Sequence, residues 1–384
     1  MALVGSVSMR SLLIKAALML LSLTLVVGLS EVTLRLAHYG EANQTPLRKL
    51  MDYDPLLGWR HKRNVSREVI TGEYHTTVHY NAQGVRGADR PYSKPQNVSR
   101  IVVLGASFVD AVTVQQQDQM TEVLAAGLGP RFEVINLGVV AYGTDQDLLW
   151  LQTEGWKYQP DLVILAFSHN DVWQNASSYF EYTRVQKPVF VMDTDGNLAL
   201  TNVPVPHFTP TLRDRSKLCD LIRTAVKPNH RLRWLGVKLG GNAARQEDAP
   251  PDAFVAYRRT EGAKLAKLWS ITQALLRRMK QETEKHRAGL VVLYVPMKWE
   301  LTAEDWNRFH FSAEYAPGEV ARRLVGICQV EGIPCIEPSD RFREAAKHGL
   351  LYYLHDAHWN AAGQRLAGEI LAEYVQSSWR GARP

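Results

Sequence analysis

The chain of 384 residues has little cysteine, and no group of cysteine and histidine has the spacing of a zinc site. Its three cysteines, Cys219, Cys328 and Cys335, are an odd number, which excludes a complete disulfide framework. Cys328 and Cys335 flank a predicted helix-to-strand turn, where they either pair in an oxidising compartment or remain two buried thiols. We therefore expect no metal and no other cofactor.

Internal repeats are absent, and no helix-turn-helix, zinc-finger or RNA-binding signature accompanies the basic residues. The net charge is +6, and much of this excess lies in a basic segment between Arg213 and Arg245. Two interpretations of the segment stay open: a solvated face of an insertion, or a surface that attracts anionic lipid or acidic polysaccharide. Nucleic acid is not an expected partner.

Long apolar runs are absent with one exception, residues 12–29, which are just long enough to span a bilayer. Arg10 and Lys15 lie towards its N-terminal side, which orients the rest of the chain away from the cytoplasm. A cleaved signal peptide with small residues near Gly28 is the alternative. Because the apolar helical pattern continues to Leu36, we favour a retained single-pass anchor in the inner membrane and a periplasmic domain.

Apolar runs alternate with helical stretches from Ile101 onward, which is typical of a parallel sheet with helices on both faces. The predicted strands are residues 101–105, 132–137, 162–167, 290–295 and 334–336. The predicted helices are residues 119–128, 146–157, 265–286, 318–330 and 361–376. We expect an α/β fold, a three-layer sandwich around a central, mostly five-stranded parallel sheet of the flavodoxin-like type.

The chain is predicted to have three parts. Residues 1–40 form the membrane anchor and a juxtamembrane helix, and residues 41–98 form a small β extension that packs on the main domain. Residues 99–378 form the main domain, with an insertion at about 174–262 that opens with a hairpin turning at residues 193–197. An insertion of this length is a lid, a substrate groove or a partly disordered spacer.

A serine and a distant Asp-x-His pair are the main candidates for chemistry. Ser107 directly follows the first predicted strand, at a strand-to-helix turn that exposes the hydroxyl and leaves its own N–H free to bind an oxyanion. A helix-capping serine is the structural alternative. Asp356 and His358 lie two residues apart before the last helix, so Asp356 can hold the His358 ring. His358 would then accept the Ser107 proton as a general base.

Two other segments follow predicted strands at the same edge of the sheet. The N–H of Gly143 can face a developing oxyanion, although Gly138 is a nearby competitor and a helix N-cap loop is the structural alternative. The side-chain amide of Asn170 can donate to the oxyanion without competing for the proton. His169 and His355 are interpreted as loop residues without a catalytic role. Asn360 is predicted to cap the last helix.

Together these four segments resemble the SGNH hydrolase family, also called GDSL-type hydrolases, over roughly residues 99–378. The resemblance implies that the oxyanion hole is formed by the N–H groups of Ser107 and Gly143 and by the Asn170 side chain. It implies that the catalytic residues are Ser107, Asp356 and His358. Residues 81–87, Asn-Ala-Gln-Gly-Val-Arg-Gly, also resemble membrane-anchored bacterial members.

The chain departs from the family pattern at two positions. The first block usually reads Gly-Asp-Ser, whereas Ala106 stands at the Asp position here. That Asp commonly braces the nucleophile loop, so its absence can loosen Ser107 or lower turnover. The third block usually has a glycine two residues before the asparagine, where this chain has Ser168.

The resemblance implies an extracytoplasmic serine ester hydrolase for O-acyl esters, with O-acetyl groups of a cell-envelope or exported polysaccharide favoured. A polysaccharide O-acetyltransferase of the same fold is the close alternative, because only the acceptor differs, and a lipid esterase or thioesterase is a third. A non-catalytic glycan-binding or assembly scaffold is the alternative from another class, supported only by Ala106. The expected partners are the membrane and an acylated carbohydrate or lipid substrate, and envelope assembly partners stay open.

Overall fold

The computed structural model describes residues 9–37, 50–180, 185–193, 196–207, 216–226, 254–309 and 311–379. The chain divides into two units, one with residues 1–49 and 209–249 and the other with residues 50–208 and 250–384. Most of the basic segment predicted between Arg213 and Arg245 lies outside the described residues.

The described residues contain strands and helices in the alternating order of an α/β protein. The strands are β1 (Met51–Asp54), β2 (Gly58–His61), β3 (Val65–Ile70), β4 (His75–Tyr80), β5 (Ser99–Gly105), β6 (Phe132–Asn136), β7 (Leu162–Phe167), β8 (Val189–Met192), β9 (Leu198–Thr201), β10 (Gly289–Tyr294) and β11 (Cys335–Ile336). The helices are α1 (Met9–Leu36), α2 (Ser107–Asp110), α3 (Met120–Leu128), α4 (Thr144–Thr153), α5 (His169–Gln174), α6 (Lys217–Val226), α7 (Ala263–Lys285), α8 (Lys298–Leu301), α9 (Ala303–Asn307), α10 (Glu319–Glu331), α11 (Ser339–Ala346) and α12 (Ala361–Ser377).

Five parallel strands form the central sheet of the second unit in the order β6-β5-β7-β10-β11. Val102 of β5 lies opposite Ile135 of β6 on one side and Val163 of β7 on the other. By chain position this order is second, first, third, fourth and fifth, which is the flavodoxin-like arrangement. The α/β fold with a five-stranded parallel sheet predicted from the sequence is confirmed.

The two faces of the sheet are buried in separate apolar cores, because successive residues of a strand point to opposite faces. Val102 and Val163 belong to a core that includes residues of α4, α7 and α10. Ile101 and Ile164 belong to a core that includes residues of α3, α11 and α12. Burial on both faces explains why these strands are apolar runs rather than alternating ones.

The β extension consists of two antiparallel pairs, β1 with β2 and β3 with β4, and both belong to the unit that contains the central sheet. β8 and β9 also pair antiparallel, with Val189 opposite Thr201, which is the predicted hairpin at the start of the insertion. These additions bring polar side chains to the carboxyl edge of the sheet.

Helix α12, near the end of the described chain, packs against α3 and contacts the short helix α2 that follows the first core strand. Asn360 caps the helix as predicted, with its side-chain oxygen accepting from the Ala362 and Gly363 N–H groups at 2.9 and 3.1 Å. The Gln364 side chain donates to the Phe108 carbonyl oxygen at 2.8 Å and accepts from the Met120 N–H at 2.9 Å. The loop before α12 is thereby fixed beside the turn after β5.

In the first unit, α1 spans 28 residues and is, among the described residues, the helix long and apolar enough to cross a membrane. A signal sequence meets the same description. Near its C-terminal end, Glu31 accepts hydrogen bonds from the Lys217 and Leu218 N–H groups at 3.0 and 2.9 Å. Glu31 thus supplies acceptors for the first turn of α6.

The buried Glu300 in α8 makes the stability of the fold depend on pH. Burial raises the pKa of Glu300 to about 8, although Tyr294 Oη and the Met297 N–H, each 2.6 Å from a carboxylate oxygen, oppose the shift. The folded protein therefore holds a proton that the unfolded chain releases near pH 4.5. The stability that this proton provides is complete below pH 4.5 and is lost as the pH rises towards about 8.

Replacing Glu300 with glutamine is expected to remove this part of the pH dependence, because the amide has no proton to lose. Thermal unfolding of the wild type and Glu300→Gln at pH 5.5 and pH 8.5 measures the effect, and the variant should show the smaller fall in Tm. Glu304→Gln, at a side chain that is 80% exposed, is the control and should behave as the wild type. Identical pH dependence in all three proteins would contradict the assignment.

Candidate active site

Ser107 lies at the carboxyl edge of the sheet because the chain turns sharply after β5. Gly105 has a φ of 145°, which a side chain rarely permits, and a Cβ there would lie 2.7 Å from Val109 Cγ2 and 2.9 Å from the Ala166 oxygen. The turn leads directly into the single turn of α2, in which Ser107 is the first residue. The Ser107 side chain is partly buried and faces the loop before α12.

The structure brings Ser107, His358 and Asp356 into one hydrogen-bonded chain. Ser107 Oγ lies 2.6 Å from His358 Nε2, across 251 positions of sequence. His358 Nδ1 lies 2.5 Å from Asp356 Oδ1, and the same oxygen accepts from the His358 backbone N–H at 2.9 Å. A hydroxyl beside an imidazole that is oriented by a carboxylate is the arrangement by which serine side chains are activated as nucleophiles.

Two residues between β3 and β4, which the sequence analysis did not single out, hold the Asp356 loop. Glu73 accepts from the backbone N–H groups of His355 and Asp356 at 3.0 and 2.8 Å. Tyr74 Oη donates to Asp356 Oδ2 at 3.4 Å. Desolvation alone would raise the pKa of Glu73, but these backbone N–H groups lower it, so a carboxylate is expected there at neutral pH.

The electrostatic environment keeps Asp356 charged. Burial by itself would raise its pKa, but the hydrogen bonds from His358 and the hydrogen bond from Tyr74 lower it. A charged Asp356 favours a proton on His358 Nδ1 and leaves Nε2 to face Ser107. The Phe108 ring packs against the imidazole with 4.9 Å between ring centroids and limits its movement.

Both candidate oxyanion glycines occupy positions where an added Cβ would be crowded. Gly143 precedes α4, and a Cβ there would lie 2.9 Å from both Asn175 Oδ1 and Asp145 Oδ1. A Cβ at Gly138 would lie only 2.3 Å from the Asp110 nitrogen, so its backbone packs directly on α2. Both glycines follow β6 at the carboxyl edge, and Gly143 as the oxyanion donor stays a prediction.

Asn170 follows β7, which neighbours β5, so it lies at the reversal of strand order where ligands bind in open α/β sheets. It occupies the first turn of α5, which begins with a capping box between Ser168 and Asp171. The Asn170 side-chain oxygen accepts from Trp173 Nε1 at 3.4 Å, which leaves the Nδ2 donors for another acceptor.

The interpretation of His169 as a loop residue is wrong. His169 is the first residue of α5 and is 3% exposed, because it packs against the Tyr257 and Trp299 rings with centroids 5.4 and 5.3 Å away. Burial lowers its pKa to about 3, so the imidazole is neutral. His355, in contrast, is exposed outside the helices and strands, as predicted.

Three aspartates beside the candidate site are buried, which was not predicted from the sequence: Asp145, Asp147 and Asp171. Burial raises the pKa of Asp171 to about 6, in spite of hydrogen bonds from Ser168 and Thr144. Asp145 forms a buried ion pair with Lys187, which precedes β8 and also donates to the Gln174 carbonyl oxygen at 2.8 Å. The insertion therefore contributes a charge to the interior next to Gly143.

Residues 254–384, which include Asp356 and His358, match the model of a family described as SGNH hydrolase-like domain, acetyltransferase AlgX. Over this stretch the chain is similar to an SGNH hydrolase-like domain. The match covers about the last third of the chain, and Ser107, Gly143 and Asn170 precede it. No curated protein sequence matches the chain.

The solved structures that are similar to this chain share little sequence with it. A catalytic mutant of Axe2, an acetylxylan esterase from Geobacillus stearothermophilus, has 11% identity and a TM-score of 0.40 over 76% of this chain and 100% of its own. LAE5, an α/β hydrolase enzyme from the metagenome of Lake Arreo, Spain, has 13% identity and a TM-score of 0.41 over 75% of this chain and 98% of its own.

Proposed function

We propose that the chain is a serine enzyme that cleaves O-acyl esters, with Ser107 as nucleophile, His358 as general base and Asp356 as the residue that orients His358. The observation that carries the proposal is the 2.6 Å separation of Ser107 Oγ and His358 Nε2, with Asp356 on the other ring nitrogen. The side chains come from two parts of the chain that are 251 positions apart.

In the proposed reaction Ser107 Oγ attacks the acyl carbonyl carbon while His358 Nε2 accepts the hydroxyl proton. The carbonyl oxygen becomes an oxyanion, which the Ser107 and Gly143 N–H groups and the Asn170 side chain stabilise. Collapse breaks the ester bond, and His358 returns the proton to the leaving alcohol. An acyl group then remains on Ser107 until water or an acceptor hydroxyl, deprotonated by His358, attacks it.

The proposed substrate is an O-acetyl ester of a cell-envelope or exported polysaccharide, on the periplasmic side of the inner membrane. Helix α1 supports this location, since positive residues precede an apolar stretch long enough to act as an anchor. The family description supports acetyl chemistry because it names an acetyltransferase.

Acetyl transfer to a polysaccharide hydroxyl is the second candidate, and the same family description favours it. Incubation of the full chain with p-nitrophenyl acetate, with and without neutral or acidic oligosaccharides, separates the two. Hydrolysis yields acetate in both cases, whereas transfer yields an oligosaccharide heavier by one acetyl group per event. Absence of turnover and of acyl-enzyme would leave the non-catalytic glycan-binding or scaffold alternative.

Labelling with a fluorophosphonate tests the nucleophile without a known substrate. The reagent forms a stable bond with an activated serine, and mass spectrometry of the digested protein identifies the residue. The proposal requires the label on Ser107. A wild-type protein that stays unlabelled, or carries the label on another serine, would refute it.

Replacing Asn170 with alanine is expected to lower kcat by about 10²–10³-fold, the usual effect of removing one oxyanion donor. The KM should change less, because the hydrogen bond strengthens as negative charge develops on the oxygen. Ester turnover by the wild type, Asn170→Ala and the exposed-site control Asn307→Ala measures the effect. A kcat for Asn170→Ala within twofold of that for the control would exclude Asn170 from the oxyanion hole.

A further inference from the structure

The short helix that carries Ser107 is held by side chains from several parts of the fold. Because α2 is a single turn, its last carbonyl groups have no partners within the helix. Three successive carbonyl oxygens instead accept side-chain donors at 2.8, 2.7 and 3.1 Å: Phe108 from Gln364, Val109 from Asn136, and Asp110 from Arg86. The backbone directly after the candidate nucleophile is therefore fixed on three sides.

Arg86 reaches this helix from the segment 81–87, which the proposed function does not use. Its guanidinium is fully buried and donates to the carbonyl oxygens of Asp110 and Val114 at 3.1 and 3.3 Å. The Gln119 side-chain amide is best oriented with its oxygen towards the Arg86 guanidinium. In that orientation the oxygen accepts from Nε and Nη2 of Arg86, each at 2.9 Å. The guanidinium of an arginine is planar and carries five N–H donors in a rigid arrangement, which allows it to hold several acceptors at once.

The Asp110 carboxylate, three residues after Ser107, is also fully buried and is surrounded by the β extension. It accepts from Tyr80 Oη at 2.8 and 3.0 Å, and His61 Nε2 lies 3.2 Å from Oδ2. Arg86 Nη1 lies 3.9 Å from Oδ1. A carboxylate in the interior is stable only with such partners, so they determine where Asp110 lies.

The remaining residues of the segment 81–87 build the turn that directs Arg86. The Asn81 side-chain oxygen accepts from the Gln83 and Val85 N–H groups at 2.9 and 3.0 Å. Gly84 has a φ of 77°, and a Cβ there would lie 2.9 Å from the His61 carbonyl oxygen. The segment is thus a preformed support for one arginine.

We propose that Arg86, Asp110 and Tyr80 are positioning residues for Ser107: they fix α2 from behind so that Oγ stays within reach of His358 Nε2. This inference rests on the proposed function. The methyl side chain of Ala106 can make no hydrogen bond beside the nucleophile. The β extension supplies the support from the opposite end of the helix.

A second buried arginine provides a matched control. Arg100 at the start of β5 is fully buried, donates to the Tyr92 and Tyr158 carbonyl oxygens at 2.9 and 2.8 Å, and pairs with Glu133 at 2.7 Å. It therefore has the same kind of contacts at the amino end of the same strand, away from Ser107. Loss of either arginine should destabilise the fold, but only loss of Arg86 should displace α2.

The experiment compares Asp110→Asn, Tyr80→Phe and Arg86→Met with Glu133→Gln and Arg100→Met. The measured quantities are the rate constant for labelling of Ser107 by a fluorophosphonate, Tm, and kcat and KM for p-nitrophenyl acetate. In folded protein we expect Asp110→Asn and Arg86→Met to label about 10-fold more slowly or worse, since misplacement by about 1 Å can cost 10²-fold. Tyr80→Phe should act in the same direction, with kcat lowered and KM little changed.

The two control variants should lower Tm while their folded forms label within about twofold of the wild-type rate. If Arg86→Met does not fold, the near-isosteric variants Asp110→Asn and Tyr80→Phe test the positioning role. Labelling of both at the wild-type rate would overturn the positioning role, and so would equal slowing in the control variants. A wild type that is not labelled at Ser107 would instead refute the proposed function itself, so the two failures are distinguishable.

Discussion

Replacing Ser107 with alanine is expected to lower kcat/KM for acyl-ester cleavage by about 10⁴-fold or more and to abolish fluorophosphonate labelling. The loss is this large because without Oγ no covalent acyl intermediate forms. His358→Ala should lose a similar factor, because Ser107 then has no base 2.6 Å away. The double variant should be little worse than either single variant, since the two groups act as one unit. Steady-state turnover of p-nitrophenyl acetate measures all three.

Another serine–histidine pair in the chain provides the control for this prediction. Ser66 Oγ lies 2.7 Å from His79 Nδ1 on the exposed face of the β3–β4 hairpin. Ser66→Ala removes the same kind of hydrogen bond from an exposed pair that, in the described part of the chain, makes no hydrogen bond with Ser107 or His358, and it should leave turnover unchanged. If Ser107→Ala retained the activity of Ser66→Ala, Ser107 could not be the nucleophile.

Replacing Asp356 with asparagine is expected to lower kcat by about 10⁴-fold while the fold is retained, as in the serine protease triad, where this change selects the wrong imidazole tautomer. An asparagine can offer its N–H₂ group to His358 Nδ1, which then accepts a hydrogen bond instead of donating one. The proton of the imidazole moves to Nε2, and Ser107 loses its acceptor. Measurements of kcat and Tm for Asp356→Asn separate this effect from unfolding.

Asp340→Asn is the control for the second prediction, because that carboxylate is 95% exposed on α11, where it pairs with Arg343. It should keep the wild-type kcat. Retention of more than about a tenth of the wild-type kcat by Asp356→Asn would mean that His358 is oriented by other groups, with the nearby Glu73 carboxylate as the first one to test.

The central sheet could be predicted because burial on both faces requires runs that are apolar throughout. All six residues of β7 are buried, and they coincide with the predicted strand. The predicted limits of the other four strands agree with the structure within two residues. Helices of four to six residues, such as α2, α5 and α8, were missed because they are too short to show a helical period.

The serine, aspartate and histidine could be predicted because residue type, position after a strand and family resemblance agreed. His169 was misinterpreted although Ser168 and Asp171 have the spacing of a capping box, which marks the start of a helix. The contacts of Glu73 and Arg86 could not be predicted, since they join residues 282 and 24 positions apart. Such tertiary contacts follow only from the folded topology.

The buried pair of Lys187 and Asp145 means that the beginning of the insertion is not a detachable flap. Deleting residues 185–193 to obtain a shorter domain would leave Asp145 buried without its counter-ion Lys187. The expected loss in the free energy of unfolding is about 3–5 kcal/mol. A shortened chain would need a neutral residue in place of Asp145.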